Sequence, residues 1–309
     1  MAPRDYLSVD DLSAAELREV LRLAGRMKGE RSLHATALAG RSIALIFEKA
    51  STRTRVSFEV GVFQLGASPL TLSSGDLQLG RGETIEDTGR VLSRYVDAIV
   101  LRTFEQERLE ALAAAASIPV INSLSDFEHP CQALADLLTI EEHLGSLAGK
   151  VLTYVGDGNN VAHSLLLAGA KAAMTVRVAT PVGFEPIRQV VDRAAEIAGE
   201  TGGAIEVGTD PGVAAKGAHV LYTDVWASMG QEREADERAL VFRPYQLNEA
   251  LIDVADPDVL VMHCLPAHRG EEIADAAIDG EHSVVFDQAE NRLHTQKALL
   301  VFLFGLAGS

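Results

Sequence analysis

The chain has 309 residues, and at ~150 residues per domain that length suggests two domains. Hydrophobic residues at 47% and charged residues at 23% are the balance of an ordinary globular fold, which excludes a disordered or low-complexity chain. Lys and Arg total 27 against 44 Asp and Glu, a net charge of -17. Such a field repels nucleic acid and anionic membrane surfaces, so neither is expected as a partner, and an anionic small molecule needs a locally positive site. The two cysteines, Cys131 and Cys264, are too few for a disulfide framework. The N-terminus carries no apolar signal core, and the longest apolar run, roughly Ala298 to Ala307, is half a membrane span. A soluble, cytoplasmic protein is expected.

Ser13-Ala14-Ala15-Glu16 is a capping-box pattern that opens a helix ending near Gly29. Beyond it, short apolar or β-branched runs alternate with helical patterns. Ser42 to Phe47, Asp97 to Leu101, Val151 to Val155, Val176 to Ala179, His219 to Tyr222 and Val259 to Met262 read as buried strands. Thr52 to Leu65, Gln106 to Ala116, Pro130 to Leu144, Val161 to Ala173 and Pro186 to Ala198 read as helices between them. The alternation predicts an α/β protein of two doubly wound domains, each a mostly parallel sheet flanked by helices. The boundary is placed in Gly145 to Lys150, giving domains 1–147 and 148–309. A last helix, about 288–306, is expected to pack back on the first domain. In such folds a ligand belongs in the cleft at the C-terminal ends of the strands.

Four segments carry chemistry. In Phe47 to Arg55 a buried strand runs into a helix whose first turn holds Ser51, Thr52, Thr54, Arg53 and Arg55. Free N–H groups and the positive helix end favour an anion, and hydroxyls and guanidiniums match phosphate oxygens. Arg53 and Arg55 are separated by about 200° around a helix, so one ligand is not expected to see both. No Gly-x-x-x-x-Gly-Lys loop is present, which disfavours a P-loop triphosphatase. In Phe127 to Gln132, Pro130 suits a first helical position and leaves His129 at the helix start, where a neutral ring can donate to a carbonyl gaining charge. In Val261 to Pro266, Cys264 at a strand end is a packing residue, a nucleophile or a substrate contact. Asp224 to Gly230, after a strand, offers a carboxylate and a hydroxyl to a cationic or zwitterionic ligand, or is a loop with a buried Trp. The spacings of His129, Cys131, His263, Cys264 and His268 match no common structural zinc pattern, and no metal is expected. Gly156-Asp157-Gly158-Asn159-Asn160 imitates a dinucleotide-binding turn, but Val161 stands where its third glycine belongs.

Together and in this order, Ser51-Thr-Arg-Thr-Arg55, His129-Pro-Cys-Gln132, Asp224 with Ser228-Met229-Gly230, and His263-Cys-Leu-Pro266 resemble the aspartate/ornithine carbamoyltransferase family over essentially the whole chain. The last two segments tilt the resemblance toward the ornithine-using branch. It implies transfer of the carbamoyl group of carbamoyl phosphate to ornithine, giving citrulline and phosphate, with no cofactor, in a homotrimer or a multiple of trimers. It also implies that Ser51, Thr52, Arg53 and Thr54 hold the phosphate, with Arg102 bridging phosphate and carbonyl. His129 and Gln132 would contact the carbonyl and amide within a segment that includes Pro130 and Cys131, the latter at a position variable in the family. Gln78 falls in a loop that reaches an adjacent subunit's site, Arg81 and Gly82 beside it departing from the basic pairs of some relatives. Arg292 is a further carbamoyl phosphate contact. Asn160, Asp224, Ser228 and Met229 would bind the amino-acid end of ornithine, while Cys264 and Leu265 flank the reacting amine. Arg102, His129 and Cys264 are thus the expected catalytic residues.

Other acceptors (putrescine, N-acetylornithine, aspartate) fit the same phosphate site. A nicotinamide-dependent dehydrogenase using Gly156 to Asn160, and a non-catalytic paralogue, are the readings from other classes. The missing glycine opposes the first, and the full set of expected polar positions opposes the second.

Overall fold

The computed structural model describes residues 4–73, 82–226 and 235–307. The chain divides into two compact units, one made of residues up to Leu138 together with those from Glu290 onward, the other Thr139–Ala289. In the first unit Ser42–Phe47 (β1), Ser68–Ser73 (β2), Ala98–Arg102 (β3) and Val120–Leu124 (β4) form a sheet ordered β2-β1-β3-β4, with every pair parallel. The helices of this stretch are Ala14–Gly29 (α1), Thr52–Gln64 (α2), Ile85–Leu92 (α3), Gln106–Ala115 (α4) and Pro130–Leu144 (α5). The capping box is made as the spacing requires: Ser13 Oγ accepts from the Glu16 amide at 3.3 Å, and Glu16 accepts from the Ser13 amide at 2.8 Å. The sheet is buried through Ala44, Ile46, Ile99, Leu101 and Val120 against Leu109 and Leu112 of α4.

The second unit repeats the principle with five parallel strands. Val151–Val155 (β5), Thr175–Ala179 (β6), Ala204–Gly208 (β7), Val220–Thr223 (β8) and Leu260–His263 (β9) run in the order β7-β6-β5-β8-β9. The remaining helices are Asn160–Lys171 (α6), Arg188–Thr201 (α7), Pro211–Ala215 (α8), Ala235–Phe242 (α9), Glu249–Ile252 (α10), Asp275–Ile278 (α11) and Val285–Leu303 (α12). Val155, Leu221, Val259 and Val261 pack with Ala215, Leu251, Ala277 and Ile278. No helix among the described residues is long and apolar enough to cross a membrane.

Strand order explains where chemistry can sit. In each sheet the chain leaves a central strand toward one edge, then returns to build the other side, and right-handed crossovers then put helices on both faces. The reversal falls between β1 and β3 in the first unit and between β5 and β8 in the second. At those points adjacent loops part and leave a crevice at the C-terminal strand ends. The motifs fall at these strand ends: Ser51 after β1, Arg102 closing β3, His129 after β4, Asn160 after β5, Asp224 after β8 and Cys264 after β9.

Candidate active site

In the first unit β1 delivers the chain to Ser51, whose extended backbone (φ -161°, ψ 107°) and Oγ cap α2 by accepting from the Thr54 amide at 3.3 Å. Lys49 is buried, ion-paired with Asp126 and 4.2 Å from the centre of the Phe104 ring, so its charge is already used. The two arginines of the helix separate as their spacing requires. Arg55 is exposed and bonds Glu59 one turn on at 3.0 Å, whereas half-buried Arg53 acts on His129.

His129 immediately precedes α5 and is buried. Burial, then the cations of Arg292, Arg102 and Arg53, hold its imidazole well below the ordinary value, so it stays neutral at physiological pH. Three guanidiniums drawn from α12, from the end of β3 and from the first turn of α2 therefore converge on one neutral ring. Such a set stabilises a multiply charged anion while leaving an imidazole able to donate one hydrogen bond. Arg292 is itself oriented: Nη1 donates to Gln132 Oε1 at 2.6 Å and Nη2 to Thr54 Oγ1 at 2.9 Å, all three residues being buried. Gln132 in turn donates to Asp136 Oδ1 at 2.7 Å, one turn further along α5. Thr54 accepts in this network, so its own hydroxyl hydrogen remains available as a donor.

Pro130 and Cys131 are turned elsewhere. The Pro130 carbonyl accepts from the Tyr6 hydroxyl at 3.3 Å, and the fully buried Cys131 thiol donates to the Asn122 carbonyl at 3.3 Å. Burial pushes that thiol up to about 12, so it is inert packing.

The second unit assembles a different set. Asp224, just past β8 and buried, accepts from Asn159 Nδ2 at 2.9 Å and from the Cys264 thiol at 2.9 Å. Asn159 caps α6, its Oδ1 accepting from the Val161 and Ala162 amides at 2.9 and 3.2 Å, which leaves Asn160 as the first residue of the helix. Cys264 follows β9, and Leu265 takes φ 55° before a cis peptide to Pro266. Behind them the fully buried His263 accepts the Leu265 amide at Nδ1 (2.8 Å), so Nε2 carries the hydrogen given to buried Glu272 at 3.1 Å. With both ring nitrogens used, His263 braces the turn that presents Cys264. Ligand atoms of Asp224, His263 and Cys264 lie within 4.8 Å of one another. The ring of His268 is half exposed, while its backbone amide donates to the same Glu272 carboxylate at 2.5 Å.

The glycine turn has an internal purpose. A Cβ on Gly158 would lie 2.3 Å from the Pro186 nitrogen, and its amide bonds the Phe184 carbonyl at 2.9 Å, so the loop packs directly on 184–186. Val161 is buried in the core. The glycines thus serve a packed loop bearing two asparagines. Gln78, Arg81, Ser228, Met229 and Gly230 lie outside the described residues.

Sequence reasoning missed the parts played by four residues. Asp136 was recoverable, since i and i+4 place it on the face of Gln132. Asp157 and Arg238, an ion pair 81 residues apart in sequence, carried no local signal. Neither did Glu48, which pairs with Arg108 at 2.8 Å and receives the Thr103 hydroxyl, fixing the loops that follow β1 and β3.

Comparison with known proteins matches both units. Residues 4–142 match the carbamoyl-P binding domain of aspartate/ornithine carbamoyltransferase, and residues 148–303 the Asp/Orn binding domain. An ornithine carbamoyltransferase of Parafrankia sp. (strain EAN1pec) is 62% identical, over 98% of this chain and 96% of that protein. The solved ornithine carbamoyltransferase of Pyrococcus furiosus superposes with a TM-score of 0.95 at 55% identity, covering 98% of each chain. The anabolic enzyme of Campylobacter jejuni gives 0.93 at 36% identity, over 98% of this chain and 99% of its own. On domains, identity and coverage alike, the chain belongs to the aspartate/ornithine carbamoyltransferase family.

Proposed function

We infer that this chain transfers the carbamoyl group of carbamoyl phosphate to the δ-amine of L-ornithine, giving L-citrulline and phosphate, a step of arginine biosynthesis. The observation that carries the reading is the convergence of Arg53, Arg102 and Arg292 on a buried, neutral His129. This set matches a substrate that joins a phosphate to a carbonyl. Ser51, Thr52, Arg53 and Thr54 at the start of α2 bind the phosphate, Arg102 spans phosphate and carbonyl, and Arg292 and Gln132 complete the pocket. In the second unit Asp224 and Asn160 receive the α-amino acid end of ornithine together with Ser228 and Met229, while Cys264 and Leu265 flank the δ-amine. We keep Gln78 as a contact supplied between subunits.

The free δ-amine, with a pKa near ~10.4 by analogy with lysine, arrives protonated and must lose that proton to act as a nucleophile. Cys264 already donates to Asp224, so a proton reaching the sulfur has a carboxylate to pass to. The amine nitrogen then bonds to the carbonyl carbon. The carbonyl electron pair moves to oxygen, where His129 and Arg102 stabilise it; its return breaks the bond from carbon to the phosphate oxygen, the second proton of the attacking nitrogen passes to that departing oxygen, and hydrogen phosphate is released to Arg53 and the helix end. No covalent enzyme intermediate is needed. Cys264→Ser is expected to lower kcat about 100-fold with carbamoyl phosphate affinity unchanged, measured by steady-state kinetics and inhibitor binding. Unchanged turnover removes the thiol from the proton path.

The functional reading is tested by offering carbamoyl phosphate with ornithine, N-acetylornithine, putrescine or aspartate. Citrulline formation should dominate, and preference for another amine overturns the acceptor assignment. We further propose a cytoplasmic homotrimer or multiple of trimers. Two free cysteines suit a reducing compartment. An exposed stripe of Val56, Val60 and Phe63 on α2, with Phe63 74% exposed, suits a face covered by another subunit. A monomeric mass by light scattering sinks the assembly.

A further inference from the structure

One buried charge in the second unit has no part in the chemistry above. Arg238 of α9 is buried; its Nε donates to the Trp226 carbonyl at 2.6 Å and its Nη2 to the Asp157 carboxylate. Its guanidinium carbon lies 4.8 Å from the centre of the Phe184 ring and 5.2 Å from that of Phe242, and the Trp226 and Phe242 rings stack at 6.0 Å. The two groups it grips belong to different loops. Asp157 lies two residues before Asn159 on the loop after β5, and Trp226 lies two residues after Asp224 on the segment after β8. These loops flank the crevice where the strand order reverses. They also touch through the bond from Asn159 to Asp224 at 2.9 Å.

We propose that Arg238 is a positioning residue for the acceptor amino acid. By holding Asp157 and the Trp226 carbonyl at once, it fixes the spacing between the loop bearing Asn159 and Asn160 and the segment bearing Asp224. The assignment rests on the reading that these two loops receive ornithine. A buried ion pair is a poor source of net stability, because desolvating both charges offsets their attraction. Its value lies in geometry: a planar guanidinium donates along two fixed directions while lying over rings, which a lysine ammonium cannot reproduce. Without Arg238 the bond from Asn159 to Asp224 would remain, but the Asp157 and Trp226 ends of the two loops would lose their shared clasp.

The arrangement is also sensitive to acid. Burial outweighs the neighbouring guanidinium and raises the Asp157 carboxyl to about 6. The charged or titratable groups acting with it are Arg238 from α9, Asp224 after β8 and Tyr154 on β5. Because that pKa is raised, the pair is ionised above about pH 6 and is lost as pH falls below it.

The test compares wild type, Arg238→Met, Arg238→Lys and Asp157→Asn in steady-state assays that vary each substrate, with Tm recorded for each. Arg238→Met should raise KM for ornithine about 10- to 100-fold and leave KM for carbamoyl phosphate within about twofold, with Arg238→Lys restoring part of the loss. Asp157→Asn at pH 8 should show an ornithine KM like that of wild type at pH 5, and its own KM should lack the wild-type rise below pH 6. If Arg238→Met does not fold, the nearly isosteric Asp157→Asn carries the comparison. An unchanged ornithine KM, or equal rises in both KM values, overturns the positioning role alone. A wild-type enzyme that does not use ornithine overturns the functional reading, and this assignment with it.

Discussion

Arg53→Ala should cost at least 100-fold in kcat/KM for carbamoyl phosphate, and most of its affinity, while Arg55→Ala two residues away should change both by less than about twofold. Arg53 stands in the first turn of α2, where main-chain amides already face an anion, and it is one of three cations acting on His129. One hydrogen bond to a charged group is worth about 1.5–3 kcal/mol in binding, and more where charge develops in the transition state. Arg55 spends its charge on Glu59 at the surface. The paired variants separate a specific contact from a general loss of positive charge on the helix. Affinity for phosphate, the product, is the direct measurement, and near-normal binding in Arg53→Ala refutes the phosphate role. Removing Arg53 also lifts one cation from His129, which still keeps its burial, Arg292 and Arg102, so the imidazole should remain neutral at pH 7.

Asp224→Asn should produce the complementary phenotype: an ornithine KM raised more than about 100-fold, with carbamoyl phosphate affinity unchanged. The carboxylate is buried at the end of β8 and accepts from both Asn159 and the Cys264 thiol, so it offers a fixed acceptor to an α-ammonium. The amide keeps the shape but loses the charge, and it brings a donor into a position that faces two donors. A fall in kcat is expected as well, because Cys264 loses its anionic acceptor. Binding of a non-reactive ornithine analogue, measured by calorimetry, distinguishes the two effects. Equal damage to both substrates would place Asp224 in the scaffold instead.

Local signals in the sequence were read well where one segment held the whole cause. Pro130 at a first helical position puts His129 at the head of α5, and about 200° of rotation separates Arg53 from Arg55. Buried parallel strands announced themselves as continuous apolar runs. The strands β2, β4 and β7 did not: β2 and β7 are sheet edges that are only partly covered, with Pro69 tolerated at an edge position, and β4, though buried, interrupts its apolar run with Asn122 and Ser123, whose side chains bond the Leu7 and Leu101 carbonyls. Short helices such as α8, α10 and α11 owe their existence to packing on neighbours, which no period of 3.6 records. The links that finish each half-site were out of reach for another reason. Arg292 to Gln132 spans 160 positions and Arg238 to Asp157 spans 81, so sequence yields the donors and acceptors separately and only folding pairs them.

That long reach bears on how the protein is made. The first unit takes its early residues from the start of the chain and its last from beyond Glu290, and Arg292 meets Thr54 across 238 positions. During translation the strands and α2 of this unit emerge long before the arginine that orients Thr54 and Gln132. The nascent first unit therefore waits, with its anion pocket lacking one of three cations, while all of Thr139–Ala289 is synthesised. Closing so long a loop is slow, so during synthesis the first unit holds all four of its strands while α12 is still missing. A fragment ending at residue 289 should accordingly be unable to bind phosphate tightly, however well its sheet forms, and a peptide covering 285–307 added in trans should restore part of that binding.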